Sequence, residues 1–165
     1  MKKTSFLIIT LLIFSANGIY ACSCIKSSIK KGFNKSDLIF TGKVVDINEK
    51  FMKDSIPTEN GKFYVREYRR IEFKFKVSEF IKGKNETEFV TVATTGGGAD
   101  CGNYFKLNTE HLVYSYETDI KLNSFDENAK TEPYFTTSIC TRTKDLNRTK
   151  KSEIRKLKRL AKRKK

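Results

Sequence analysis

Residues 63–81 read FYVREYRRIEFKFKVSEFI. Phe63, Val65, Ile71, Phe73, Phe75, Val77 and Ile81 share one parity, while Tyr64, Arg66, Tyr68, Arg70, Glu72, Lys74 and Lys76 share the other. Successive side chains of a strand point to opposite faces. This period of two therefore predicts one long strand, or a bent pair, with an apolar face and a wet face.

On the N-terminal side, Leu38–Ile47 (LIFTGKVVDI) is rich in β-branched and aromatic residues and reads as a strand, and 46–61, polar and holding Pro57, reads as the loop after it. On the C-terminal side, Glu88–Thr94 is a third strand, ended by Gly96–Gly98, and His111–Glu117 is a fourth. The polar stretch 121–133 reads as a loop and Tyr134–Thr141 as a short fifth strand carrying Cys140. Leu146, Ile154, Leu157 and Leu160 or Ala161 then recur at near-helical spacing among basic residues. The expectation is a mainly β protein: a five-stranded Greek-key barrel of the OB type with a C-terminal amphipathic helix.

The start of the chain has the features of an export signal. Lys2 and Lys3 precede an apolar run from Phe6 to Phe14, followed by the small residues Ser15, Ala16 and Gly18. The run is too short to span a bilayer, which takes about 20 apolar residues. Cleavage after Ala21 divides the chain into a signal peptide (1–21), a barrel domain (22–143) and a basic C-terminal helix or tail (144–165). Two other outcomes compete: cleavage after Gly18, and lipoprotein processing that anchors the chain through Cys22. The expected location is secreted, extracellular or periplasmic, or else lipid-anchored at Cys22.

Four cysteines remain after the signal: Cys22, Cys24, Cys101 and Cys140. An even number in an exported chain favours two disulfides, with three pairings open, of which Cys22 to Cys24 would close a strained ring. The formal charge is +14. Residues 144–165 hold twelve Lys or Arg against Asp145 and Glu153, a surplus of +10, so the barrel itself is near neutral once Lys2 and Lys3 are gone.

Several pieces together resemble a known family: Cys22-Ser23-Cys24; Phe33 with Ser36-Asp37-Leu38-Ile39; Phe80-Ile81-Lys82-Gly83; Cys101-Gly102; His111-Leu112-Val113-Tyr114; and Thr137-Ser138-Ile139-Cys140. In this order they are similar to the netrin-like module, and within it to the N-terminal domain of the tissue inhibitors of metalloproteinases, in a single-domain, bacterial-type form. The resemblance implies the pairings Cys22–Cys101 and Cys24–Cys140. It also implies inhibition of a zinc metalloprotease: the α-amine and carbonyl of Cys22 would chelate the protease's zinc and displace its water, with Ser23 in the specificity pocket. Cys24, Ala99 and Asp100 would touch the protease. The expectation is a monomer with no cofactor, and no set of His, Asp and Glu is spaced as a metal site of its own.

Other chemistries find little support. Gly96–Gly98 lacks the Gly-Lys-Ser/Thr of a phosphate loop. His111 is the only histidine, and no nucleophile–base or metal-ligand pattern surrounds it, so it reads as structural and no enzyme is expected. The Tyr and Arg residues of the wet face have the composition of a single-strand groove, but interspersed Glu67, Glu72 and Glu79 favour a solvated sheet, and no nucleic acid is expected. For Lys144 to Lys165 the competing readings are an anionic partner surface and a frayed, solvated end. A non-inhibitory binding module at the cell surface is the alternative to the inhibitor.

Overall fold

A computed structural model describes residues 24–163, apart from 26, 59, 85, 97–100 and 123–128. The elements run α1 (Ile29–Lys35), β1 (Leu38–Pro57), β2 (Phe63–Lys82), β3 (Phe89–Thr95), β4 (Glu110–Ile120), β5 (Lys130–Thr136), β6 (Lys144–Asp145), a 3-10 turn (Leu146–Arg148) and α2 (Lys151–Lys162). Five strands close into a ring in the order β1-β2-β3-β5-β4, sealed by β4 returning to β1 from Leu38↔Ser115 to Lys43↔Glu110. Every pairing in the ring is antiparallel except β3 with β5. This is the five-stranded OB-type barrel expected from the sequence, and β6 adds a short sixth strand on β4.

β1 bends to serve two neighbours. Its register against β2 shifts at Thr41/Gly42 and again at Val44/Asp46, as bulges do where a sheet turns a corner. At Gly42 a Cβ would lie 2.8 Å from the Lys76 carbonyl oxygen, so the strands approach this closely only because the residue is glycine.

The core has two layers. Leu38, Phe40, Val44, Ile71, Phe73, Phe75, Val90, Val92 and Val113 fill the barrel, with Phe105 inserted from the β3–β4 connection. On the barrel's outer wall, Ile39, Leu112 and Tyr114 pack beneath Phe33 of α1 and Leu157 of α2. β1 and β4 are therefore covered on both faces here, which is why LIF (38–40) and LVY (112–114) are unbroken apolar runs rather than alternating ones. Leu157 is fully buried, with Ile154, Leu160 and Ala161 packed around the same cluster, so helix α2 is a structural layer and not a frayed segment.

Three sequence expectations need correction. Residues 46–57 are not a loop: they pair with Phe63–Lys74 as a two-stranded ribbon, stitched by Glu49–Arg69, Lys50–Glu72 and Lys53–Glu67. Cross-strand ion pairs and ladder hydrogen bonds hold a segment whose polarity resembles a loop. Because the ribbon extends past the packed part of the barrel, Phe63 and Val65 are exposed despite sharing parity with the core residues. Tyr68, assigned to the wet face, is instead buried, and neighbouring Arg70 is spent on Glu72 (3.0 Å) and on the Tyr134 ring (4.3 Å to its centre).

The last strand also differs: β5 begins at Lys130 and ends at Thr136, so Cys140 lies in the following turn, closed by Thr141 N–H donating to the Ser138 carbonyl. Pairing with β4, as far as Ile120↔Lys130, extends the strand back through Pro133. Helix α1 had no expectation. Ser28 caps it, its hydroxyl accepting from the Lys31 N–H at 3.2 Å.

His111 is buried between the rings of Phe75 and Phe105, with Nε2 2.7 Å from Thr109 Oγ1 and Nδ1 3.3 Å from Asp145 Oδ1. Burial lowers its pKa below 6.5; Asp145 and the Lys144 backbone oppose this without reversing it. A histidine that resists protonation when folded gains protons on unfolding, so its contribution is whole above 6.5 and is lost as pH falls toward the depressed value. His111→Gln should flatten the stability profile between about pH 5 and 7; denaturant midpoints across that range check it, and an unchanged slope would refute it.

Candidate functional site

Local chemistry builds one end of the molecule around the cysteines. Cys24 is bonded to Cys140, with Cα atoms 5.0 Å apart and 116 residues of chain between them. Cys101 is also disulfide-bonded. The two landing points are neighbours: Ile139 N–H donates to the Cys101 carbonyl at 3.1 Å, and Gly102 pairs with Ser138 in an isolated bridge. Cys101 has φ 58, a left-handed conformation that costs a non-glycine residue roughly 1 kcal/mol. Such conformations persist where surrounding bonds fix them, and they concentrate at functional sites.

A second anchor acts just beyond Cys24. The Arg142 guanidinium donates to the Ser27 carbonyl at 2.5 Å and to Glu153 Oε1 at 2.9 Å. Its side chain crosses α1 at Gly32, where a Cβ would lie 2.9 Å from Arg142 Cδ. Glu153 is buried at the start of α2, and its carboxylate also accepts from Tyr114 Oη (2.9 Å) and Lys144 Nζ (2.6 Å). Burial pushes the Glu153 carboxyl up, but hydrogen bonds from Arg142, Lys144 and Tyr114 outweigh it and the net shift is downward. Burial and the adjacent carboxylate push the Tyr114 phenol up, so it stays protonated and donates. The C-terminal helix thus fixes the N-terminal segment through one chain of contacts, from Glu153 to Arg142 to Ser27.

Around the disulfide the surface is concave and partly apolar. A groove of about 590 Å³ runs past Cys24, Lys31, Lys35, Tyr116 and Arg142. Ile25 is 92% exposed and Ile139 is 47% exposed, and both line a shallower cleft against the Cys24–Cys140 bond. Neither the exposure of these two isoleucines nor the Glu153 network was read from the sequence. An isoleucine after a Cys-X-Cys gives no sign of exposure, and a lone Glu in a basic helix reads as a solvated charge.

Of the residues expected to form a site, the structure places Cys24, Cys101 and Cys140 together at this end. Cys22, Ser23, Ala99 and Asp100 lie outside the described residues, as does the Cys22 side of the Cys22–Cys101 pairing. Among the described residues no group of three or more His, Cys, Asp or Glu is arranged to hold a metal.

The disulfides place the protein in an oxidising, non-cytoplasmic compartment. No helix among the described residues is long and apolar enough to cross a membrane. Comparison with known proteins finds no matching family model and no matching curated protein.

Proposed function

We propose that the exported chain is a secreted, netrin-like inhibitor of zinc endopeptidases and acts through its N-terminal cysteine. The observation that carries this reading is the Cys24–Cys140 bond, which ties the chain to the barrel two residues from Cys22. A polypeptide spans at most about 3.6 Å per residue, so a terminus this close to an anchor has little freedom left to lose on binding.

The chemistry follows from the partner's metal. A catalytic zinc has three protein ligands and an open position filled by water. The α-amine of Cys22 titrates near pH 8, so at neutral pH a fraction is already neutral and the metal displaces the remaining proton. Amine nitrogen and Cys22 carbonyl oxygen then chelate the zinc in place of water, and the protease loses the nucleophile it would activate. Ser23 enters the specificity pocket, Cys24, Ala99 and Asp100 contact the protease, and the exposed Ile25 and Ile139 supply apolar area around the disulfide.

The test is active-site titration of a zinc endopeptidase with the secreted chain. Stoichiometric loss of activity, with catalytic zinc retained, supports the reading. Full activity across a panel of such enzymes, at micromolar concentrations of the chain, overturns it.

A further inference from the structure

We infer that the outward face of α2 is a docking surface for an extended anionic polysaccharide. Lys151, Arg155, Lys156, Arg159, Lys162 and Arg163 are exposed and make no ion pair among the described residues; Lys158 alone on the helix reaches an acid, Glu79 at 2.7 Å. Lys151, Arg155, Arg159 and Lys162 recur every three or four residues, so they line one stripe of the helix, roughly 6 Å apart along its axis.

Helix stability does not account for this stripe. Cations in the last turn suit the helix dipole, but Lys150 and Lys151 sit at the N-terminal end, where positive charge is unfavourable and no side chain caps the helix. Lys151 with Arg155, and Arg155 with Arg159, are like charges at the i,i+4 spacing that repels. A partner with a regular row of negative charges turns that repulsion into attraction.

The chemistry of the face selects among polyanions. A membrane-surface helix buries an apolar side in lipid, but Ile154, Leu157, Leu160 and Ala161 are already packed on the barrel. A nucleic-acid groove stacks bases on aromatic rings, and 144–165 contains none. An anionic sugar chain needs neither. At the C-terminal end of the stripe, Lys162 lines a groove of about 480 Å³ together with Lys84 and the apolar Phe80, Ile81 and Ala161, while Lys158 in the same groove is held by Glu79. The C–H face of a sugar ring can rest on that apolar lining while its sulfates or carboxylates meet the lysines.

The experiment is calorimetric titration of the mature protein with a size-defined heparin oligosaccharide at several salt concentrations. The variant K151Q/R155Q/R159Q/K162Q should bind at least about tenfold more weakly at roughly 150 mM salt. Its slope of log affinity against log salt should fall by roughly 2 to 3. A control with the same change in net charge, K43Q/K62Q/R66Q/K106Q, should lose less than about threefold. The substituted side chains point to solvent, so the unfolding midpoint should hold. The milder R155Q/R159Q variant should lose an intermediate amount. No saturable binding, equal losses in variant and control, or tighter binding to phosphatidylglycerol vesicles or to a single-stranded oligonucleotide at matched salt would each overturn the inference.

Discussion

Adding one alanine ahead of Cys22 should abolish protease inhibition, raising the inhibition constant by about a thousandfold or more, equivalent to ~4 kcal/mol. The α-amine carries a lone pair that a zinc ion can bind once the proton leaves. In the extended chain that nitrogen becomes an amide, whose lone pair is delocalised into the neighbouring carbonyl and is no longer a metal donor. The added residue changes nothing else in the body: Cys24 stays bonded to Cys140, and Arg142 still holds the Ser27 carbonyl. Circular dichroism and thermal unfolding should therefore match the parent chain. Equal inhibition by the extended protein would eliminate chelation and leave, at most, a surface-blocking mechanism around Ile25 and Ile139.

The second large effect concerns stability. Glu153→Ala should destabilise the fold by about 2–4 kcal/mol, since breaking a buried ion pair strands the opposite charge. The figure is set below the ~3–5 kcal/mol of a fully enclosed pair because the Arg142 and Lys144 side chains keep 23% and 30% of their surface exposed and can turn partly to water. Tyr114 Oη loses its acceptor within the core as well. Glu153→Gln, which keeps an acceptor oxygen, should fall between. The network also has a pH signature. The folded carboxyl titrates below its ordinary 4.5, so its contribution is complete above that pH and is lost as pH falls through the depressed value; the alanine variant should lack this acid limb. Urea midpoints from neutral to acid pH measure both effects. A loss under about 0.5 kcal/mol would mean that the network contributes no more than an ordinary surface site.

How far the sequence could be read depended on whether the deciding contacts were local. Ile71, Phe73 and Phe75 alternate with charged residues, and strand geometry alone turns that into a barrel wall. Leu38–Phe40 and Leu112–Tyr114 were legible as strands, but their burial on both faces depends on Phe33, in a short helix the sequence did not announce, and on Leu157, which lies far from both strands in sequence. The ribbon 46–57 was lost because its charged residues look solvated singly and acquire partners only when Phe63–Lys74 folds alongside.

Helix α1 is seven residues long with Gly32 inside it, too short for a helical period to register, and its glycine is needed for the passage of Arg142. The site divides in the same way. The landing points for the N-terminal segment followed from resemblance, with Cys24–Cys140 realised in the fold. The Glu153–Arg142–Ser27 contact chain joins residues 115 positions apart in its last step and leaves no local trace.

Intact mass and N-terminal sequencing of the exported protein test the central claim most directly. A chain that begins at Cys22 with an unmodified amine is the predicted result. A chain starting at Ile19, or a Cys22 carrying an acyl group, would contradict it.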